Sequence, residues 1–294
     1  MRITDELTKV SAYVEAALAE EYTAADPDFS VLQEAELYSL MAGGKRIRPF
    51  LVLKTCELFG GDPEMVKPLA VALEMVHTYS LIHDDLPCMD NDDLRRGKPT
   101  CHKQYGEANA LLAGDAMLTA AFRAISRAET LSSELRIRAI LRLAEAAGDH
   151  GMLAGQVMDA YAETHKISYE QLLKLHRKKT GALISVAVEL GALGAGLSEN
   201  DPRYQAIREY SDNIGIAFQV IDDLLDATGS EEELGKPIGS DKESGKTTFL
   251  SFMSIQEAER FAVELTENAV FAIADYDKDG LFTELAYFLC NRRH

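Results

Sequence analysis

Apolar residues recur at spacings of three and four along nearly the whole chain, and this periodicity restricts the fold more than any other feature. No segment shows the sustained alternation of apolar and polar residues that marks a half-buried strand. Only 8 prolines interrupt the 294 residues, so long helices can form between them. The pattern therefore predicts an all-α protein without strands.

Glycines and prolines divide the periodic sequence into helices joined by short connections. The predicted helices span residues 4–21, 30–41, 46–59, 64–86, 107–127, 133–147, 149–163, 168–192, 203–226, 247–252, 256–274 and 279–290. Because no linker, repeat or low-complexity segment separates them, we expect a single domain over residues 1–294. One large helical bundle is the expected architecture.

Composition and charge exclude several classes of protein. The net charge of −18 leaves no excess of Lys and Arg to neutralise a nucleic acid. The four cysteines contain no CxxC pair, which favours free thiols in a reducing compartment. We expect no signal peptide and no membrane span, since the most apolar stretch is short and contains Glu189. A cytoplasmic protein is the expectation.

A first acidic cluster, DDLPCMDNDDLRR at Asp84–Arg96, follows an apolar predicted helix. His77, Ser80 and Asp84 lie at i, i+3 and i+7, so they share one face of that helix. Pro87 ends the helix and allows Asp90 to return toward the end of the helix at Asp84. Because the five carboxylates of this stretch repel one another beside an apolar wall, they require cations.

A second acidic cluster lies in the segment GIAFQVIDDLLD. Its residues Gly215, Gln219, Asp222 and Asp226 share a single helical face. Carboxylates at i, i+4 destabilise a helix unless a cation lies between them. Two such helices facing each other would offer the oxygen ligands that Mg²⁺ prefers, so the two clusters predict a magnesium site.

Basic residues are concentrated in five segments next to glycine or proline at predicted helix boundaries. These segments are GGKRIRP at Gly43–Pro49, RRGKP at Arg95–Pro99, RKKTG at Arg177–Gly181, GKP at Gly235–Pro237 and SGKTT at Ser244–Thr248. Exposed backbone amides at such boundaries also favour anions. In so acidic a chain, five basic loops predict a site for a diphosphate.

Together these motifs resemble those of the short-chain trans-isoprenyl diphosphate synthases, most closely the bacterial-type farnesyl diphosphate synthases. DDLPCMD resembles the first aspartate-rich motif of that family, and DDLLD resembles the second. GGKRIRP, DLRRGKPT, KTGAL and GKPIGSD follow in the family's order, and the resemblance covers almost the whole chain. It implies an isoprenoid-synthase helical bundle with a central substrate cavity, and a homodimer.

The resemblance also implies a reaction, in which an allylic diphosphate is joined to isopentenyl diphosphate to give farnesyl diphosphate. Three Mg²⁺ ions would be held by Asp84, Asp90 and Asp222, with weaker or water-mediated roles for Asp85, Asp223 and Asp226. A catalytic clamp on the allylic diphosphate would consist of Arg95, Lys179 and Lys236, with Thr180, Gln219 and Lys246 nearby. Isopentenyl diphosphate would be bound without metal by Lys45, Arg48, His77 and Arg96.

Product length is expected to depend on Tyr79 and Ser80. They lie five and four residues before Asp84, and therefore about 6–8 Å deeper along the helix axis. An aromatic residue there resembles the farnesyl-producing pattern, in which the ring closes the hydrocarbon pocket. No role follows from the sequence for Gln156, Asp159, Arg292 or Arg293.

Three alternatives remain beside this hypothesis. A geranylgeranyl or geranyl diphosphate synthase would share the mechanism and differ in pocket depth. A terpene cyclase would also use an aspartate-rich helix, but it would lack the isopentenyl-binding segment GGKRIRP. An inactive regulatory subunit would have a broken aspartate motif, whereas both motifs are intact here.

Overall fold

The computed structural model describes residues 2–22, 27–228 and 246–291. Within these ranges the α-helices are α1 (Arg2–Glu20), α2 (Ser30–Leu40), α3 (Ile47–Leu58), α4 (Pro63–Asp84), α5 (Cys101–Tyr105), α6 (Glu107–Ser126), α7 (Ser133–Ala147), α8 (Met152–Thr164), α9 (Tyr169–His176), α10 (Ala182–Gly194), α11 (Pro202–Thr228), α12 (Ile255–Ile273) and α13 (Leu281–Cys290). Short 3₁₀ helices span Pro27–Phe29 and Phe249–Ser251. The all-α fold predicted from periodicity is confirmed.

Helix α4, which carries the first acidic cluster at its end, is defined by local sequence. Its N-cap is Asp62, whose side chain accepts a hydrogen bond from the backbone N–H of Glu64 at 3.0 Å. Pro63 occupies the first helical position, where its missing N–H costs nothing. The helix ends at Asp84, two residues earlier than the spacing predicts, so Asp84 lies at the mouth of the bundle.

The expectation of no strands was wrong for one short hairpin. Strands β1 (Leu94–Arg95) and β2 (Lys98–Pro99) pair in antiparallel fashion. The two residues between them, Arg96 and Gly97, have φ values of +54° and +75°, as a tight two-residue hairpin turn requires. A hairpin this short leaves no alternating pattern, so periodicity could not detect it.

The helix expected over residues 168–192 is divided in the structure. A five-residue π-helix, Arg177–Gly181, separates α9 from α10 and contains the basic motif RKKTG. Single π-helical turns are uncommon and occur frequently at functional sites, because the wider turn redirects side chains. The helix expected over residues 247–252 is only the 3₁₀ turn Phe249–Ser251.

The core of the described residues consists of two apolar clusters. The largest apolar cluster includes buried residues of α1, α3, α4, α6, α7, α10, α11 and α13, and a smaller one joins α9, α11 and α12. Within the described ranges, no helix combines the length and the apolar character that crossing a bilayer demands.

Candidate active site

A cavity of about 420 Å³ lies between α4, α10, α11, α13 and the loop before α3. Its lining residues are Gly44, Lys45, Arg46, Ile47, Arg48, Glu74, His77, Arg96, Ile184, Ile214, Phe218, Asp222, Leu225 and Leu289. All four residues predicted to hold isopentenyl diphosphate are in this set, together with Asp222 of the second acidic motif. The cavity therefore combines a cationic wall, an acidic residue and apolar side chains.

Two glycines bring the cationic wall together. Gly43 and Gly44 have φ values of +90° and +124°, which residues with a Cβ rarely adopt. A Cβ on Gly44 would lie 2.7 Å from the guanidinium carbon of Arg96. Arg96 donates a hydrogen bond to the carbonyl oxygen of Gly43. The hairpin turn is thus packed directly against the glycine pair of GGKRIRP.

His77 lies at the centre of this wall. Its Nε2 is 3.2 Å from Nη1 of Arg48. Burial lowers the pKa of His77 well below its usual value, and the charges of Arg48 and Arg96 lower it further. At neutral pH the ring is therefore uncharged, and it can offer a hydrogen bond to an anion without adding positive charge.

In the first acidic motif, Asp85 forms an ion pair with Arg95. The Nε and Nη2 of Arg95 donate to the Asp85 carboxylate at 2.5–2.9 Å, and Asp85 is only 2% exposed. Burial raises the pKa of Asp84 to about 6; the charge of Lys179 opposes this rise, and that of Asp90 adds to it. The carboxylate of Asp84 is therefore partly desolvated at the end of α4.

Helix α8 supplies two polar contacts that the sequence had left unassigned. Gln156 donates a hydrogen bond from Nε2 to Asp84, and Asp159 forms an ion pair with Lys179. Their i, i+3 spacing was a usable signal, because it places both on one face of a helix. Gly155 allows the approach, since a Cβ there would lie 2.2 Å from the backbone nitrogen of Lys179.

Of the three aspartates in the second acidic motif, only Asp222 lines the cavity. Asp223 is 5% exposed, and its Oδ2 accepts a hydrogen bond from the backbone N–H of Phe249 at 2.8 Å. Asp226 is equally buried. The carboxylate of Asp223 thus attaches the segment after residue 245 to α11, whereas Asp222 faces the substrate space.

Three more of the predicted residues make contacts between these elements. Thr180 donates a hydrogen bond to Oε1 of Gln219 at 3.1 Å, which links the π-helix to α11. Lys246 Nζ is 3.8 Å from Oδ1 of Asp90 and so joins the segment after residue 245 to the first acidic motif. Lys236 lies outside the described residues.

Carboxylate oxygens of the two motifs fit magnesium by their chemistry. The predicted ligands are all hard oxygen donors, and the raised pKa of Asp84 indicates a site that a cation would stabilise. In the part of the chain that the structure describes, no three Asp, Glu, His or Cys side chains are grouped closely enough to hold a metal. Each motif therefore offers a partial set of ligands, which diphosphate oxygens can complete.

Tyr79, the predicted floor of the hydrocarbon pocket, is 4% exposed. Its ring packs edge-on against His83 with centroids 5.7 Å apart. His83 in turn lies against Gly114 of α6, where a Cβ would lie 2.1 Å from the imidazole. Tyr79 is therefore part of the contact between α4 and α6, and it does not line the 420 Å³ cavity.

Comparisons with known proteins agree with this arrangement. The family model described as polyprenyl synthetase matches residues 29–275. The chain belongs to the polyprenyl synthetase family. It is 47% identical over 258 residues to farnesyl diphosphate synthase of Geobacillus stearothermophilus, covering 87% of this chain and 86% of the relative. The family predicted from the aspartate motifs is thus confirmed.

Other polyprenyl synthetases are almost as similar. A chloroplastic geranylgeranyl pyrophosphate synthase of Catharanthus roseus is 46% identical over 250 residues, covering 84% of this chain and 70% of the relative. The crystal structure of a Helicobacter pylori geranyltransferase complexed with magnesium and isoprenyl diphosphate superposes with a TM-score of 0.85 at 32% identity. That superposition covers 99% of this chain and 97% of the neighbour.

Proposed function

We propose that this protein is a prenyltransferase that condenses dimethylallyl or geranyl diphosphate with isopentenyl diphosphate to give farnesyl diphosphate. The observation that carries the proposal is the cavity lined by Lys45, Arg48, His77, Arg96 and Asp222. In this cavity an anion can bind to the cationic side chains, because no carboxylate of the first acidic motif lines it. The farnesyl diphosphate synthase of Geobacillus stearothermophilus supports the same reaction.

The allylic diphosphate binds at the acidic mouth in this proposal. Asp84, Asp90 and Asp222 would hold Mg²⁺, and three ions are proposed, as the family resemblance implies. Magnesium bound there would neutralise the negative charge that grows on the departing diphosphate. The Helicobacter pylori neighbour, complexed with magnesium and isoprenyl diphosphate, supports this assignment.

Arg95 and Lys179 would complete the grip on the allylic diphosphate, with Lys236 as a third cation. In the structure Arg95 is paired with Asp85, and Lys179 is paired with Asp159. These carboxylates hold the two cations at the mouth before substrate binds, and diphosphate oxygens can then compete for them. The cations are therefore positioned in advance, which lowers the ordering cost of binding.

Isopentenyl diphosphate would bind in the cavity against Lys45, Arg48, His77 and Arg96. Its double bond then attacks the allylic carbon as the diphosphate of the first substrate leaves. The departing diphosphate is the proposed base for the last proton. Apolar residues of the cavity wall, Ile184, Ile214 and Phe218 among them, would keep water away from the cationic intermediate.

We further propose a homodimer formed through α6, α7 and α8. Seven exposed large apolar residues lie on these three helices: Leu111, Leu112, Ile137, Leu141, Leu153, Val157 and Tyr161. Those of α7 and of α8 recur at i, i+4, so each helix exposes an apolar stripe. Stripes of this kind on consecutive helices fit a second copy of the same surface.

Product analysis tests the proposed reaction. The purified protein is incubated with Mg²⁺, dimethylallyl diphosphate and isopentenyl diphosphate, and the alcohols released by phosphatase are identified by mass. Farnesol as the main product is the expected result, and no product with intact substrates would contradict the proposal. Geranylgeraniol would favour the alternative that the Catharanthus roseus relative represents. Release of diphosphate without isopentenyl diphosphate would indicate a cyclase.

A further inference from the structure

Arg46 differs from the other cations of GGKRIRP because it is buried. The guanidinium is 0% exposed, and its Nη1 donates to Oε1 of Glu74 at 2.5 Å. Its Nη2 donates to Oε1 of Glu15 at 3.2 Å and to the carbonyl oxygen of Leu40. Four separate elements therefore meet at this one side chain, namely α1, α2, α4 and the loop before α3.

The backbone at Arg46 determines where its neighbours point. Arg46 is the N-cap of α3 and has a φ of +48°, a left-handed conformation uncommon for a residue with a Cβ. Lys45 precedes this bend and Arg48 follows it, and both line the cavity. Because a left-handed residue persists only where surrounding contacts hold it, the bonds of Arg46 maintain the bend.

Glu74 connects the bend to the rest of the cationic wall. It lies three residues before His77 on α4, so the two side chains share one helix face. Both line the same cavity. The ion pair of Arg46 with Glu74 thus fixes the distance between the basic loop and the helix that carries His77.

Glu74 also offsets a strong repulsion. Arg46, Arg48, Arg95 and Arg96 all lower the pKa of His77, so four guanidinium groups lie within electrostatic reach of one ring. Burial lowers the pKa of Arg96, as do the charges of Arg46 and Arg95, and the charge of Glu74, which is 2% exposed, opposes this lowering. A buried carboxylate at this point lets the cations stay close together before an anionic substrate arrives.

We propose that Arg46 and Glu74 are positioning residues that preorganise the metal-free diphosphate subsite. The inference rests on the proposed function and adds two residues to which no role is assigned there. The Arg46 side chain is fully buried and its Nη1 and Nη2 are both bonded to protein groups, so it acts through Lys45, Arg48 and His77 and not by contact with substrate. Loss of Arg46 should weaken the binding of isopentenyl diphosphate and leave the binding of the allylic diphosphate unaffected.

Steady-state kinetics of Arg46→Lys test this separation. Lysine keeps the charge but cannot reach Glu74, Glu15 and the Leu40 carbonyl together. The expected result is a KM for isopentenyl diphosphate raised about tenfold or more, with the KM for the allylic diphosphate changed less than about twofold. Arg142→Lys, which loosens an ion pair with Glu199 on another face, is the matched control and should change neither KM.

A binding measurement keeps the inference testable apart from turnover. Calorimetry with inorganic diphosphate in EDTA should show weaker binding to Arg46→Lys, and to Glu74→Gln, than to the wild type. Glu74→Gln serves if the lysine variant does not fold. Equal affinities, or equal changes in both KM values, would overturn the inference. An inactive wild type would instead contradict the proposed function, and the calorimetric comparison would still decide the role of Arg46.

Discussion

Asp84 and Asp222 belong to different helices, and each is the first of two consecutive aspartates. Asp84 lies at the end of α4 with a pKa raised by burial, and Asp222 lines the cavity from α11. The carboxylates that follow each of them, Asp85 and Asp223, are buried and engaged in protein contacts. At the scale of single residues, each doubled aspartate therefore combines one aspartate that we propose as a metal ligand with one that is held by protein contacts.

Replacing Asp84 or Asp222 should lower activity while the fold is retained. Asp84→Ala or Asp222→Ala is expected to lower turnover at least about a hundredfold, because the stabilisation of the departing diphosphate is lost. The thermal unfolding temperature should not fall for Asp84→Ala, since this change removes a partly desolvated carboxylate from an acidic mouth. Initial rates and thermal melts measure the two effects.

A neighbouring aspartate provides the control for this pair. Asp93 lies in the same acidic stretch, is exposed and forms a surface ion pair with Lys103. Asp93→Ala should retain the wild-type rate. Near wild-type turnover in Asp84→Ala or Asp222→Ala would contradict the metal-binding assignment.

Tyr79 should determine product length through its ring. Although Tyr79 does not line the 420 Å³ cavity, its ring fills space beside α4 five residues before Asp84, so Tyr79→Ala is expected to open that space and give products longer than fifteen carbons. Truncating so buried an aromatic should also cost about 3–5 kcal/mol of stability. Tyr79→Phe keeps the ring and should keep the product. Mass analysis of the alcohols decides, and an unchanged product from Tyr79→Ala would remove this role.

At the scale of elements, the π-helix Arg177–Gly181 connects the active site to a buried histidine. His176 precedes it, stacks on Phe249 with centroids 5.2 Å apart, and has no hydrogen-bond partner for either ring nitrogen in the described residues. Burial lowers the pKa of His176 to about 4. The element that carries Lys179 and Thr180 therefore begins at a group that resists protonation.

Acid should destabilise the protein through His176. Below pH 6.5 the unfolded chain takes up a proton at this histidine, whereas the folded protein does so only near pH 4. The free energy of unfolding is thus lowered as pH falls through this window, by up to about 3 kcal/mol. His176→Phe should reduce that loss. Urea unfolding of the wild type and of His176→Phe at pH 7 and pH 5 measures the loss of unfolding free energy.

The exposed His150 offers a control for the acid effect. Its side chain is 82% exposed, so His150→Phe should leave the pH dependence of unfolding as it is in the wild type. If His176→Phe shows the wild-type dependence as well, then His176 is not the group responsible.

At the scale of the whole molecule, the apolar stripes of α7 and α8 should decide oligomeric state. Sedimentation of the wild type should give twice the 32.4 kDa of one chain. Val157→Asp is expected to yield monomers, because it buries a charge in the apolar contact. Phe271→Asp, which changes an exposed aromatic residue on α12, should remain dimeric. A monomeric wild type at micromolar concentration would contradict the homodimer.

The sequence by itself determined the helical class, most helix positions and both acidic motifs. Helical periodicity and the spacing of Asp222 and Asp226 are local patterns, since they depend on residues three to seven positions apart. Family motifs such as GGKRIRP are equally local. For this reason the predicted isopentenyl-binding residues could be named before any fold was known, and the structure places them on one cavity.

Only the tertiary structure decided which charges are paired. Arg46 with Glu74 and Lys179 with Asp159 join residues 28 and 20 positions apart, and Gln156 reaches Asp84 across 72 positions. Which distant groups meet depends on how whole elements pack, because the close contacts at Gly44 and Gly155 are made by the side chain of Arg96 and the backbone of Lys179. A linear pattern carries no record of such contacts, and so the positioning residues emerged only from the packed bundle.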